Sequence, residues 1–259
     1  MPALFLHGVP ATSRLWQPIL SRIDRDDEVL APDLPGFTAD PPEGWVPVKE
    51  SYVNWAIGLL EDLHSRGGPV DLVGHDWGCL IALRAASLRP ELLRTLAVGN
   101  APIDPHWPIH NLWTEYMKPG LGEQISDALA ANNIMKPALV KMGFPEDDAD
   151  HNAFVQPGNA HRIMNLYRSA VHIGLEWADD LARIVIPTEF IWGELDMVVP
   201  RETGRRMAAR IGAGFNLIHA DHFWPYQAPD EAVAILNKLW ERGNLRPYTI
   251  LTQPPYGQR

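Results

Sequence analysis

Apolar runs of four to seven residues recur along the chain, each closed by Gly, Pro, Asp or Asn. Those at 3–6, 28–31, 70–73, 93–98, 186–192 and 215–218 read as buried strands. Between them lie stretches whose apolar residues return every three or four positions. In 13–23 these are Leu15, Trp16, Ile19, Leu20 and Ile23, with Ser13 as the expected N-cap. In 52–64 they are Val53, Ile57, Leu60 and Leu63; in 228–241, Ala232, Ile235, Leu236 and Leu239. Segments 79–87 and 202–211 read as two more helices. Strands alternating with helices at this spacing predict an α/β fold, a mostly parallel sheet with helices on both faces.

From about residue 100 to 180 the alternation stops. This stretch is rich in Pro, Trp, His and Met, with helical pieces at 121–130 and 161–172. It predicts a helical cap, 101–180, inserted into a core made of 1–100 and 181–259. No internal repeat is visible.

Composition narrows the function. The net charge of −10 leaves no basic face for a nucleic acid. One cysteine excludes an internal disulfide and a Cys-rich metal site, and suits a cytoplasmic protein. No apolar run approaches the roughly 20 residues of a membrane span, and the first residues do not read as a signal peptide. Neither a membrane partner nor a metal is expected. The 24 prolines in 259 residues exceed the usual ~5%.

The strongest chemical signal is Gly74-His75-Asp76-Trp77-Gly78, between a strand and a helix. This is the Gly-x-nucleophile-x-Gly pattern of a sharp turn that lifts the central side chain clear of a sheet. The central residue is Asp, not Ser. A carboxylate displaces at sp³ carbon and leaves an ester on the enzyme. A plain helix-capping Asp is the competing reading of Asp76; the two glycines and the partners that follow weigh against it. Asp196 follows the strand at 186–192, and His222 follows the next strand. The order nucleophile, acid, base is that of the α/β hydrolases. His222 is the expected general base and Asp196 the residue that orients it. Glu194 and His219 are the nearby rivals. In His7-Gly8-Val9-Pro10, the Val9 N–H pairs with that of Trp77 as a candidate oxyanion hole.

These residues, with Pro32-Asp33-Leu34-Pro35-Gly36-Phe37, resemble the α/β-hydrolase superfamily, in its epoxide hydrolase and haloalkane dehalogenase branch. The resemblance covers about 3–100 and 180–242 and implies a cofactor-free enzyme. Met164-Asn165-Leu166-Tyr167-Arg168 is similar to the cap segment that carries a proton-donating tyrosine in the epoxide hydrolases. It makes Tyr167 the implied acid for the epoxide oxygen. Tyr116 lies a few places beyond the position of the second tyrosine. The resemblance to dehalogenases instead implies indole halide donors, with Trp77 and Trp113 or Trp107 in that role. Trp77, Trp113, Trp107 and His7 are expected to line the substrate site.

The reading that follows is hydrolysis of a small apolar or aromatic epoxide through an ester on Asp76. A haloalkane dehalogenase is the alternative, and a non-catalytic receptor on the same fold is a third. The His-Gly strand comes so early that the antiparallel hairpin usual in this branch is expected to be missing. An exposed sheet edge should result, covered by 248–252 or by a second subunit of a homodimer.

Overall fold

The computed structural model describes residues 1–107 and 111–245. The strands are β1 (Ala3–Leu6), β2 (Val29–Leu30), β3 (Val70–His75), β4 (Leu93–Gly99), β5 (Thr188–Gly193) and β6 (Gly214–Ile218). They form one sheet in the order β2-β1-β3-β4-β5-β6, and every pairing is parallel. Among the described residues no antiparallel strand borders the sheet, and the two-residue β2 forms one edge. The 248–252 segment lies outside the described residues.

Helices cover both faces. In chain order they are α1 (Gln17–Leu20), α2 (Lys49–Gly67), α3 (Trp77–Leu88), α4 (Asn111–Tyr116), α5 (Leu121–Asn132), α6 (Lys136–Lys141), α7 (Glu146–Asp150), α8 (Asn159–Ser169), α9 (Ile173–Trp177), α10 (Arg201–Ile211), α11 (Trp224–Gln227) and α12 (Pro229–Leu245). The stretch expected as a cap holds α4 to α9, between β4 and β5. Side chains on successive strand residues point to opposite faces, and β1 shows the result. Leu4 and Leu6 join the core layer of α2 and α3, with Leu60, Leu63 and Leu83. Ala3 and Phe5 join Trp16, Trp224, Leu236 and Leu239 on the other side.

The expected helix at 13–23 is shorter and broken. A 3-10 turn over Ser13–Trp16 precedes α1, with Pro18 in the first turn of α1. Ser13 is not its cap. The cap position is Thr12, and the Ser13 N–H donates to the Asp33 carboxylate at 2.6 Å. The loops after β1 and β2 are thereby joined. No helix among the described residues is long and apolar enough to cross a membrane.

The chain passes from β1 outward to β2, then returns to the other side of β1 as β3. Such a switch point opens a crevice at the carboxyl ends of the two strands. The His7–Pro10 loop and the Asp76 turn leave the sheet there. At the opposite, amino end the buried Asp71 of β3 accepts from Thr95 Oγ1 at 2.6 Å and Arg94 Nε at 2.8 Å, and pairs with Arg25 at 2.9 Å. Removing one member of a buried charge cluster leaves the others uncompensated. Asp71→Ala is therefore expected to cost about 3–5 kcal/mol, read as a lowered urea midpoint with an unchanged slope.

Candidate active site

Asp76 stands at φ 52° and ψ −123°, a region that non-glycine residues seldom enter. Strain of this kind costs on the order of 1–3 kcal/mol and persists only where the surroundings enforce it. Here close packing enforces it. A Cβ on Gly78 would lie 1.9 Å from the Leu6 carbonyl oxygen, and one on Gly74 would lie 2.4 Å from the Gly78 carbonyl oxygen. Main-chain bonds hold the turn as well. The Asp76 N–H donates to Gly99 O at 3.0 Å, and Asp76 O accepts from the Cys79 N–H at 2.8 Å. α3 therefore starts against the end of β1.

This geometry presents the Asp76 carboxylate to two loops. Its Oδ1 accepts from the Val9 N–H at 2.6 Å. A Cβ on Gly8 would fall 2.2 Å from that oxygen and 2.6 Å from the Trp77 main-chain nitrogen. Gly8, Oδ1 and the Trp77 N–H thus converge on one point. Oδ2 lies 3.6 Å from His222 Nε2. His222 Nδ1 faces Asp196 Oδ2 at 3.0 Å. That assigns Nδ1–H as donor to Asp196 and turns Nε2 toward Asp76.

Asp196 is fixed on all sides. The Val198 and Val199 N–H groups donate to Oδ1 at 2.7 and 3.1 Å. Oδ2 also accepts from Asn100 Nδ2 at 2.6 Å. Burial works against its charge, but His222 and the Val198 and Val199 N–H groups outweigh it and hold the Asp196 pKa below the ordinary carboxylate value. Burial likewise opposes charge on His222. The carboxylates of Asp196 and Asp76 reverse the balance and push its pKa up to about 10.

Sequence reasoning missed Asn100. It sits at φ 60°, directly after β4. An Asn at the carboxyl end of a central strand, in a conformation Asn tolerates, was the available signal. The rivals lie elsewhere in their bonding: Glu194 and His219 bond one another, and the His219 side chain is 77% exposed.

His7, also expected to line the substrate site, makes its hydrogen bonds within the protein. It is fully buried, and both ring nitrogens are engaged. Leu34 N–H donates to Nε2 at 2.9 Å, and Nδ1 meets Gly8 O at 2.9 Å. Its ring braces the Val9 loop.

The cap contributes aromatic rings. Tyr167 of α8 meets Trp77 edge-on at 5.2 Å, Trp113 at 5.1 Å and Tyr116 at 5.6 Å between centroids. The Trp113 indole N–H donates to the Tyr167 main-chain carbonyl at 2.9 Å. Burial and the nearby Asp76 charge raise the Tyr167 pKa, which keeps the phenol protonated. Tyr116 is also buried, and burial alone raises its pKa. Its hydroxyl has no hydrogen-bond partner among the described residues. Trp107 reaches the cluster through Trp113, centroids 5.7 Å apart. Arg168 ties the cap helices together through Tyr116 O at 2.7 Å and Glu123 at 2.7 Å. A cavity of about 320 Å³ opens away from this chemistry, beside Ile184–Thr188 at the amino end of β5.

The raised His222 pKa has a measurable sign. Its stabilisation is complete below the ordinary histidine value of 6.5 and fades as pH rises toward about 10. Asp196, held low, contributes above its ordinary 3.8 and loses that contribution on acidification. The stability advantage of the native protein over His222→Gln should therefore be greatest between 3.8 and 6.5 and shrink above it. Denaturation midpoints of both proteins across pH test this.

Comparison with known proteins agrees with the fold. Residues 3–235 match the family model described as the alpha/beta hydrolase family. The chain is 28% identical over 261 residues to the AB hydrolase superfamily protein YfhM of Bacillus subtilis, covering 91% of this chain and 87% of that one. It is 26% identical over 259 residues to a haloalkane dehalogenase of Bradyrhizobium diazoefficiens, covering 85% and 82%. The solved epoxide hydrolase CorEH superposes with a TM-score of 0.74 at 18% identity, over 93% of this chain and 91% of that one. The chain belongs to the alpha/beta hydrolase family, near dehalogenases and epoxide hydrolases.

Proposed function

We propose that this hydrolase opens a small apolar epoxide to a diol through an ester on Asp76. The observation that carries the reading is the set of bonds around Tyr167. A protonated phenol lies in the field of the Asp76 carboxylate. Of the indoles that a halide cradle would use, Trp113 turns its N–H onto the Tyr167 main-chain carbonyl at 2.9 Å, and Trp77 meets the Tyr167 ring edge-on. An opening epoxide generates an alkoxide, a poor leaving group that needs an acid; a departing halide needs none.

Asp76 Oδ2 attacks an epoxide carbon, the carbon–oxygen bond breaks, and Tyr167 protonates the oxygen. Tyr167 regains a proton from solvent and His222 releases its own to solvent, which leaves His222 neutral. Esterification also removes the Asp76 charge, one of the two that held the His222 pKa up. His222 becomes a base at the point where one is required. It then takes a proton from water attacking the ester carbonyl. The Val9 and Trp77 N–H groups stabilise the oxyanion. Collapse releases the diol and restores Asp76 as carboxylate and His222 as imidazolium, so the proton count closes over one cycle. Tyr116, its ring 5.6 Å from that of Tyr167, supports it as a second phenol.

The dehalogenase relative favours the other reading. A panel of epoxides and bromoalkanes separates the two. Epoxide turnover without bromide release is expected, with Tyr167→Phe slowing ring opening by about 10²-fold or more. Bromide release that Tyr167→Phe leaves intact would replace the epoxide reading. His222→Gln should accumulate protein heavier by the mass of the substrate, seen by intact mass spectrometry. Absence of that adduct with an active substrate would remove His222 as base.

A further inference from the structure

His75, the last residue of β3, immediately precedes Asp76 and takes no part in the chemistry above. It is fully buried. Its Nε2 lies 2.8 Å from the main-chain carbonyl oxygen of His222. A carbonyl only accepts, so Nε2 must carry the proton. Nδ1 is then a bare lone pair, buried and without a hydrogen-bond partner among the described residues. Three rings close around the imidazole: His222 at 5.1 Å, and Phe223 and Trp224 each at 5.7 Å between centroids.

We propose that His75 is a positioning residue, a buried imidazole whose Nε2–H ties the loop carrying His222 to the end of the strand that leads into Asp76. The inference rests on the reading of His222 as base. The base reaches the nucleophile across 3.6 Å, a gap that movement of its loop would change directly. Its ring is steered by Asp196 from β5, while its main chain is held from β3 by His75. The nucleophile and the main chain of the base are therefore both set from the carboxyl end of β3.

The ring suits a fixed donor. A second proton would have to sit on Nδ1, which is buried with no acceptor among the described residues. Burial and the His222 charge push the His75 pKa down to about 4, against the smaller opposing pull of Asp76, the His222 carbonyl and Asp196. Its bond to the loop thus persists while His222 itself changes charge through the cycle.

Two variants and one measurement on the native protein test the proposal. His75→Phe keeps a ring and removes the donor; His75→Gln keeps an N–H near the same point. Misplacing a catalytic group by about 1 Å can cost on the order of 100-fold. That loss is expected in ester hydrolysis for His75→Phe, with ester formation changed far less and the adduct accumulating. His75→Gln should recover most of the rate. Equal defects in both variants, or native ester hydrolysis in His75→Phe, would overturn the proposal. Nitrogen NMR of the native protein, with His75→Gln for assignment, decides it even if His75→Phe fails to fold. An Nε2–H signal unchanged from about pH 5.5 to 9 is expected; a titrating ring, or one protonated on Nδ1, overturns it. If the native protein forms no ester with any substrate, the Asp76 reading fails, and the NMR result still decides the state of His75.

Discussion

Everything in the site depends on how closely the main chains of β1 and α3 approach. No side-chain atom fits between the Leu6 carbonyl and Gly78, or between Gly74 and the same turn. That contact forces Asp76 into a conformation it would not otherwise hold. It also brings the start of α3 beside the Val9 loop. One steric constraint thus yields a carboxylate turned out of the sheet, a helix N-terminus behind it and a second N–H from across the switch point. Helix N-termini favour negative charge, so the arrangement steadies the carboxylate at rest and an oxyanion later.

Upon that frame sits a charge arrangement of three groups. One imidazole lies between two carboxylates, 3.0 Å from one and 3.6 Å from the other. The two carboxylates are not equivalent. Asp196 has its lone pairs filled by Val198, Val199 and Asn100, whereas Asp76 accepts from Val9 and turns its other oxygen toward His222. The saturated carboxylate suits an orienting role and the less encumbered one suits attack. The same covalent event that uses Asp76 would lower the basicity threshold of His222, coupling the two half-reactions.

The sheet was legible because β1, β3, β4 and β5 are buried on both faces and read as apolar runs. The elbow was legible because glycine pairs at that spacing have a steric cause, borne out by the contacts at Gly74 and Gly78. The 13–23 helix misled because periodicity does not register Pro18 or the pull of Asp33 on Ser13. His7 misled for a related reason. Its place beside the catalytic loop was readable, but the burial that turns it into a brace depends on Leu34, 27 residues away. Asn100 and His75 act through single long-range hydrogen bonds, which leave no periodic trace. The orientation of Trp113 was equally hidden, since its indole bonds a main-chain oxygen that any residue at 167 would supply.

The central claim is that catalysis passes through an ester on Asp76. A single turnover in water enriched in heavy oxygen, with enzyme in excess over an epoxide, tests it most directly. The peptide containing Asp76 should acquire the heavy oxygen while the first diol released carries none. Label delivered straight to the diol, with an unlabelled Asp76 peptide, would contradict the account.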